Sequence, residues 1–333
     1  MKIIRQPLVL SMGALFLCYI PLFLRDRIPV HDGLQLATLV QFVFNNYIQD
    51  GEIPRWWPQL MYGLDTNWYL SLTLGPSLWF LLPFVKWIGT PNLLHVYYAS
   101  LFIDEMILLI GGYLLARRLF SDNLAILLVL LSLTGSAIWA GQPWYNFHLY
   151  YLLPLSFYFL LVGIEDSRPN AIILSLIVLI GSLFGNLQYF SFVMYLTWLI
   201  FAISAWFAFG GSVTGFARGL NRATIPLVML GGILVAIFLL FTFYGSQHIN
   251  YNPGRTTDNI VSAEAFLTYG VFLDLAKYLE IFTGISANAD MTIYAGVLVP
   301  VFTVYGLLVT PSLRQVPFIA TAIFMVLFSL GNG

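Results

Sequence analysis

The amino-acid sequence predicts an all-α polytopic membrane protein with about nine transmembrane helices, plus interfacial or re-entrant helices in a long first outer loop. Of its 333 residues, 59% are hydrophobic and only 9% are charged, a composition outside the range of soluble globular domains. Apolar runs of about 20 residues, the helix length that crosses a bilayer core, recur along the chain. The net charge is −1 and the basic residues are scattered, so no nucleic-acid partner is expected.

The first apolar run, 8–24, follows Lys2 and Arg5 and shows no small-residue cleavage site. We therefore expect an uncleaved first span with a cytoplasmic N-terminus. The single cysteine, Cys18, lies inside this run, so neither a disulfide framework nor a cysteine metal site is expected. The further crossings are expected at 94–116, 122–140, 149–163, 171–185, 190–209, 224–244, 294–310 and 316–330.

The run 69–88 is ambiguous, because Gly75, Pro76 and Pro83 interrupt an otherwise apolar segment. Short cytoplasmic loops carry an excess of Lys and Arg, and this rule decides between two topologies. If the run dips into the membrane without crossing it, the basic residues of the short loops all fall on the side of the N-terminus. These residues are Arg117, Arg118, Arg168, Arg218, Arg222 and Arg314.

On this topology, two long outer loops, 25–93 and 245–293, form the candidate active-site face of a single transmembrane domain that covers 1–333. The chain ends at Gly333 directly after an apolar run, without a polar tail. We therefore expect the domain to be incomplete at its C-terminus.

Asp32 is the candidate catalytic residue. It follows the first span closely, between His31 and Gly33, and precedes a stretch, 34–48, that could form an interfacial helix. A partly desolvated carboxylate at the membrane surface is well placed to take a proton from an acceptor hydroxyl. The alternative is that Asp32 caps the following helix. The neighbouring His31 is a candidate substrate contact.

Cations of the outer loops are candidates for holding a phosphate group. Arg55, Arg255 and Lys277 lie in these loops, and an Arg side chain binds phosphate through a planar fork. Basic residues close to the end of a span commonly reach to lipid headgroups instead. Arg255 lies far from any predicted span end and is therefore the preferred phosphate contact among the three.

Trp56, Trp57 and Asp65 are further candidate substrate contacts in the first outer loop. The two indole rings could stack on sugar faces, whereas belts of aromatic residues at membrane interfaces account for most Trp without any ligand. Asp65 is a second candidate for the base if Asp32 does not act in that role.

Asp104 and Glu105 lie near the middle of the predicted crossing 94–116. Charged groups at that depth are costly and usually face a polar cavity or a partner. Adjacent helical positions point about 100° apart, so the two carboxylates can hardly both face lipid. A structural pair with a polar residue such as Gln188 or His148 and a role in substrate access are both open.

Several features occur together: Asp32 early in the outer loop, the Gly- and Pro-bounded stretch 51–63, a basic turn at 116–120, and Pro-Gly-Arg at 253–255 before an apolar run that opens near Ile293. This combination resembles polytopic glycosyltransferases of the GT-C superfamily. It is most similar to the bacterial YfhO-like membrane proteins, which are related to enzymes that glycosylate lipoteichoic acid.

The resemblance implies a hexosyltransferase-type enzyme at the outer face of a bacterial cytoplasmic membrane. Such an enzyme moves a sugar from a polyprenyl-phosphate donor to a lipid or cell-envelope acceptor. Asp32 would act as the base or orient the acceptor, and Arg255 would stabilise the departing phosphate. The alternative function is a transporter or flippase for lipid-linked saccharides or polymers.

The resemblance also bears on cofactors. Superfamily members that use a metal carry a second acidic motif in the loop after the third span, but 141–148 contains no carboxylate. No cofactor is therefore expected, with a divalent metal ion as the alternative.

Overall fold

The computed structural model describes residues 6–25, 28, 31–54, 56–57, 64–65, 75–88, 92–135, 151–182, 188–211, 214–215, 220, 224–248 and 312–330. Over these residues the chain forms a bundle of α-helices, which confirms the helical class. The helices are α1 (Pro7–Leu24), α2 (His31–Asp50), α3 (Pro76–Ile88), α4 (Leu93–Leu119), α5 (Asn123–Thr134), α6 (Leu153–Glu165), α7 (Pro169–Gly181), α8 (Gln188–Ala208), α9 (Thr224–His248) and α10 (Val316–Leu330).

A short antiparallel ribbon interrupts the helical structure of the first loop. Strand β1 (Trp56–Trp57) pairs with strand β2 (Leu64–Asp65), with Trp56 opposite Asp65 and Trp57 opposite Leu64. The all-α prediction missed this ribbon, because strands of two residues leave no alternating pattern of apolar and polar residues to detect.

Several helices begin at side chains that satisfy the first backbone N–H groups. The Asn92 side chain accepts a hydrogen bond of 3.0 Å from the Leu94 N–H at the start of α4. Asp122 accepts one of 3.0 Å from the Ala125 N–H at the start of α5. Ser312 and Gln315 form a capping box around a short 3-10 turn that leads into α10.

Helices α1 and α4 pack against each other in antiparallel orientation. The Phe16 and Phe102 rings lie 6.3 Å apart between centroids, whereas Phe23, further along α1, lies 6.2 Å from Tyr98 and 5.6 Å from His95, both earlier on α4. The chain therefore leaves α1 and enters α4 at the same end of the bundle. We call this the loop end, because the segment 25–92 begins and ends there.

At the opposite end, three connections meet. Arg118 in the last turn of α4 contacts Glu165 at the end of α6 and Asp166 in the following turn. Arg314, in the turn before α10, contacts Glu165 as well. We call this the basic end. Four arginines lie at or next to this end: Arg117, Arg118, Arg168 and Arg314. The positive-inside argument placed all four on the same side of the membrane.

Helices α9 and α10 both start at the basic end. Thr224 at the start of α9 donates a 2.6 Å hydrogen bond to Asn170 at the start of α7, and α10 follows Arg314. The C-terminus of α9 and the start of α10 therefore lie at opposite ends of the bundle. That arrangement is compatible with the predicted crossing 294–310, which itself lies outside the described residues, as does the loop 249–293.

The hairpin of α6 and α7 is held by buried polar contacts. Ser156 Oγ donates to the Ser175 carbonyl oxygen at 2.9 Å, and Ser175 Oγ donates to the Ser156 carbonyl oxygen at 2.8 Å. Trp198 Nε1 of α8 donates to Ser175 Oγ at 3.0 Å. Each hydroxyl thus finds a partner inside an apolar interface, where an unpaired one would be costly.

Two of the helices are long and apolar enough to cross a membrane: α1, with a mean hydropathy of 2.1, and α4, with 1.7. A signal sequence near the N-terminus passes the same test as α1, and a buried core helix of a soluble protein passes the same test as α4. The helix positions thus agree with the sequence-based spans where they are described, while nine crossings remain a prediction.

The structure limits what the ambiguous run can do. Helix α3 covers 13 residues, a length of about 20 Å at 1.5 Å per residue, which is shorter than the bilayer core of about 30 Å. The antiparallel packing of α1 and α4 returns the chain to the loop end as well. A re-entrant segment at 69–88 is still a prediction, since 69–74 lie outside the described residues.

We predict that Gly111→Ala destabilises the bundle by about 1–3 kcal/mol, the usual cost of overpacking. A Cβ at Gly111 would lie 2.6 Å from the Leu155 backbone nitrogen, so α4 and α6 would have to separate. Gly232→Ala on α9 is the matched control, because its Cβ would meet no atom within 4 Å. Thermal unfolding of detergent-solubilised protein measures both. Equal melting temperatures of the two variants would contradict the close approach of α4 and α6.

Candidate functional site

The structure places the predicted catalytic residue in a helix held by the rest of the bundle. Asp32 and His31 are the first two residues of α2. Further along α2, Leu39, Val40 and Phe44 are fully buried and belong to the core cluster shared with α3 and α4. Asp32 lies in the first turn of α2. Its side chain and the two residues before α2 lie outside the described part of the structure, so the catalytic role and the capping role both stay predictions.

The predicted contacts Trp56, Trp57 and Asp65 lie on the two-stranded ribbon that follows α2. Its antiparallel register makes Trp56 and Asp65 direct neighbours, although nine positions separate them in the chain. Between α2 and the ribbon, Gly51 adopts a positive φ of 75°, which ends the helix and favours glycine. The ribbon and Asp32 thus belong to one folded connection at the loop end.

The three predicted phosphate contacts, Arg55, Arg255 and Lys277, lie outside the described residues. Their predicted roles stay predictions. Among the described cations near this end, Lys86 of α3 lies 5.3 Å from the centre of the Tyr47 ring of α2. This contact ties α3 to α2.

The second predicted group, Asp104 and Glu105, is buried in the middle of α4, each side chain only 4% exposed. The Tyr19 hydroxyl of α1 donates a hydrogen bond of 2.9 Å to Glu105 Oε1. The carboxylates therefore face the bundle interior, as their sequence position predicted.

The partner of Glu105 differs from the polar side chains proposed from sequence. Tyr19 is 86 residues away in the chain, whereas His148 and the side chain of Gln188 lie outside the described part of the structure. In the sequence, the one indication of the Tyr19–Glu105 pair was the polar hydroxyl of a tyrosine within the apolar run 8–24. Tyr19 also packs edge-to-face against Phe102, with the ring centroids 5.3 Å apart, so the hydroxyl is fixed where Glu105 needs a donor.

A second cluster of charges, missed by sequence reasoning, lies at the basic end. Arg118 donates from Nε to Glu165 Oε2 at 2.6 Å and from Nη2 to Asp166 Oδ1 at 2.7 Å. Arg314 Nε lies 3.3 Å from Glu165 Oε1, and its Nη1 donates to the Arg118 carbonyl oxygen at 3.1 Å. The positive-inside argument brought these residues to one side, but it could not identify the pairs.

The hydrogen bond from Arg118 holds the pKa of the Asp166 carboxyl below its ordinary value. Burial acts in the opposite direction, but the carboxyl is too exposed for this to dominate. The cluster therefore keeps Asp166 ionised, and it joins the ends of α4, α6 and the turn before α10.

No metal site emerges from the described ranges, where no three His, Cys, Asp or Glu side chains are close enough to share an ion. The side chains of Asp32 and Asp65 are not among those described. The expectation about a metal therefore stays a prediction. Comparison with protein-family models, curated proteins and solved structures gives no match in any of the three.

We predict that Tyr19→Phe lowers the free energy of unfolding by about 1–3 kcal/mol, because the buried Glu105 carboxyl group loses the donor to its Oε1. Tyr113→Phe, a half-buried tyrosine two turns away on α4, should change stability much less. A double-mutant cycle with Glu105→Gln, followed by thermal unfolding, should give a coupling of at least about 0.5 kcal/mol. Additive effects would show that the hydroxyl does not act through Glu105.

We also predict a pH dependence at the basic end. The folded-state pKa of Asp166 is lowered, so its stabilisation is complete above the unfolded-state pKa of about 3.9 and is lost as pH falls through the folded-state value. The melting temperature of the wild type should exceed that of Asp166→Asn at pH 7. The gap, worth under about 1 kcal/mol for an exposed pair, should close below about pH 4. A gap that widens on acidification would contradict this assignment.

Proposed function

We propose that this chain is a polytopic membrane glycosyltransferase of the GT-C, YfhO-like type, acting at the outer face of a bacterial cytoplasmic membrane. It takes a sugar from a polyprenyl-phosphate donor and passes it to a lipid or cell-envelope acceptor. The observation that carries the proposal is that the candidate site residues lie on elements of one connection. The connection between α1 and α4 begins and ends there and holds both the Asp32 helix and the Trp56–Asp65 ribbon.

Charge distribution supports a membrane location with this orientation. The basic end brings together arginines from separate connections, as expected for the cytoplasmic side. Between the two ends, large apolar side chains are exposed on α9, among them Ile225, Met229 and Leu239. Apolar surface of this extent is costly in water but not in lipid.

The chemistry follows from placing a carboxylate beside a lipid-linked sugar. In the proposed step, Asp32 takes the proton of an acceptor hydroxyl, while the oxygen of that hydroxyl attacks the anomeric carbon of the donor sugar. The bond between that carbon and the carrier phosphate breaks, and the phosphate leaves with the bonding electrons, with inversion at the anomeric carbon. Arg255 and Arg55 are the proposed phosphate contacts, and Trp56, Trp57 and Asp65 the proposed sugar contacts.

One observation favours the second candidate, a transporter or flippase for lipid-linked saccharides. Asp104, Glu105 and Tyr19 form a buried polar group between α1 and α4, and buried ionisable groups within membrane helices often lie on substrate or proton paths. On this alternative, Glu105 rather than Asp32 is the functional carboxylate. The two proposals therefore name different residues.

We predict that Asp32→Asn lowers sugar transfer by at least about 100-fold, the contribution typical of a general base. The assay follows transfer from labelled polyprenyl-phosphate sugars in vesicles that contain the full chain. Asp50→Asn is the matched control, because Asp50 is the last residue of the same helix and lies about 27 Å from Asp32 along its axis. It should retain activity.

Equal amounts of folded protein are confirmed for each variant before rates are compared. Transfer that survives Asp32→Asn would move the base to another outer carboxylate, with Asp65 first. Movement of lipid-linked saccharide across the bilayer without transfer, abolished by Glu105→Gln, would favour the transporter.

A further inference from the structure

The charged cluster at the basic end lines an open depression on the protein surface. Arg118, Glu165, Asp166, Phe209 and Arg314 form its walls. These walls hold two guanidinium groups and two carboxylates, and a third guanidinium group, that of Arg168, lies close enough to act on Asp166. Such a surface attracts neither a simple anion nor a simple cation strongly, but it suits a ligand that carries both signs a few ångströms apart.

Unused hydrogen-bonding groups remain in this depression. Arg118 bonds the carboxylates through Nε and Nη2, and Arg314 uses Nε and Nη1. Within the part of the chain that the structure describes, Arg118 Nη1 and Arg314 Nη2 make no hydrogen bond. Asp166 is engaged through Oδ1, and its side chain is 35% exposed, so the carboxylate is accessible from solvent.

Exposed apolar side chains also lie beside the depression. Helix α10 packs against α8 in antiparallel orientation, because Thr197 contacts Met325 whereas Phe201, later on α8, lies 5.0 Å from Phe318, earlier on α10. Leu313 and Val316, on either side of Arg314, are exposed. Phe207 on α8 is 80% exposed as well, but it lies on the face of α8 opposite to Phe209 and does not enter the depression.

We propose that this depression binds the headgroup of a zwitterionic phospholipid with a primary ammonium, a phosphatidylethanolamine, from the inner leaflet. The phosphate lies against the guanidinium groups of Arg118 and Arg314, the ammonium donates to Asp166, and the acyl chains extend past Leu313 and Val316, which are exposed beside Arg314. A phosphatidylcholine cannot donate hydrogen bonds from its quaternary ammonium, and a phosphatidylglycerol has no ammonium for Asp166. The inference rests on the membrane placement proposed above, but not on sugar transfer.

The test measures lipid binding to the purified full chain in detergent by native mass spectrometry and by thermal unfolding. Dioleoyl phosphatidylethanolamine, phosphatidylcholine and phosphatidylglycerol are compared at equal concentrations. We expect the phosphatidylethanolamine to be retained roughly threefold more than either of the others, a modest preference for partly exposed charge contacts, and to raise the melting temperature most. Retention of phosphatidylglycerol equal to or above that of phosphatidylethanolamine would overturn the proposal.

Variants test which side chains bind the lipid, and a soluble headgroup tests whether the acyl chains are needed. Asp166→Asn should abolish the preference for phosphatidylethanolamine over phosphatidylcholine, and Arg314→Gln should weaken retention of all three lipids. Arg117→Gln is the matched control, because Arg117 lies next to Arg118 but does not line the depression. An equal loss in the control would overturn the proposal, as would equal stabilisation by free O-phosphoethanolamine. Because the wild-type lipid series needs no variant and no sugar donor, its outcome is separate from that of the transfer assay.

Discussion

Helix α4 is the element on which the rest of the structure depends. Helices α1, α2, α3, α5 and α6 all pack against it, and it carries ionisable side chains both at its middle and at its end. An apolar bundle tolerates such side chains only where polar partners meet them. Tyr19 meets Glu105, and Glu165 and Asp166 meet Arg118. These two contacts set how α1 and α6 are placed against α4.

The positions of the helices follow from the sequence to a large extent. Apolar runs predict most helix ends within a few residues, as 94–116 for α4 (Leu93–Leu119) and 316–330 for α10 (Val316–Leu330) show, because the apolar pattern is local. The partner of Glu105 was not predictable in this way, since Tyr19 reaches it only after α1 and α4 pack. The same holds for the ion pairs of Arg118, whose partners come from separate connections.

In the candidate catalytic face, too, the local helix was predictable from the sequence and a contact between distant residues was not. The stretch 34–48 was expected to form a helix, and α2 (His31–Asp50) covers it. The pairing of Trp56 with Asp65 escaped prediction, because the ribbon depends on two strand residues and not on periodicity. Asp32 now lies on a helix anchored by Leu39, Val40 and Phe44. Such an anchor fixes the position of the α2 backbone against α3 and α4.

The reciprocal hydrogen bonds of Ser156 and Ser175 have a consequence for how the chain acquires its structure. The two serines lie 19 residues apart in the chain. Near the turn between the helices, Gly163 has no side chain, which lets Ile172 pack directly against it. The α6–α7 hairpin therefore satisfies its own buried hydroxyls through contacts of short sequence separation, which we expect to form early because little loop entropy is lost. It is a unit that can assemble during synthesis, before Trp198 arrives from α8, and later helices then dock on a preformed surface.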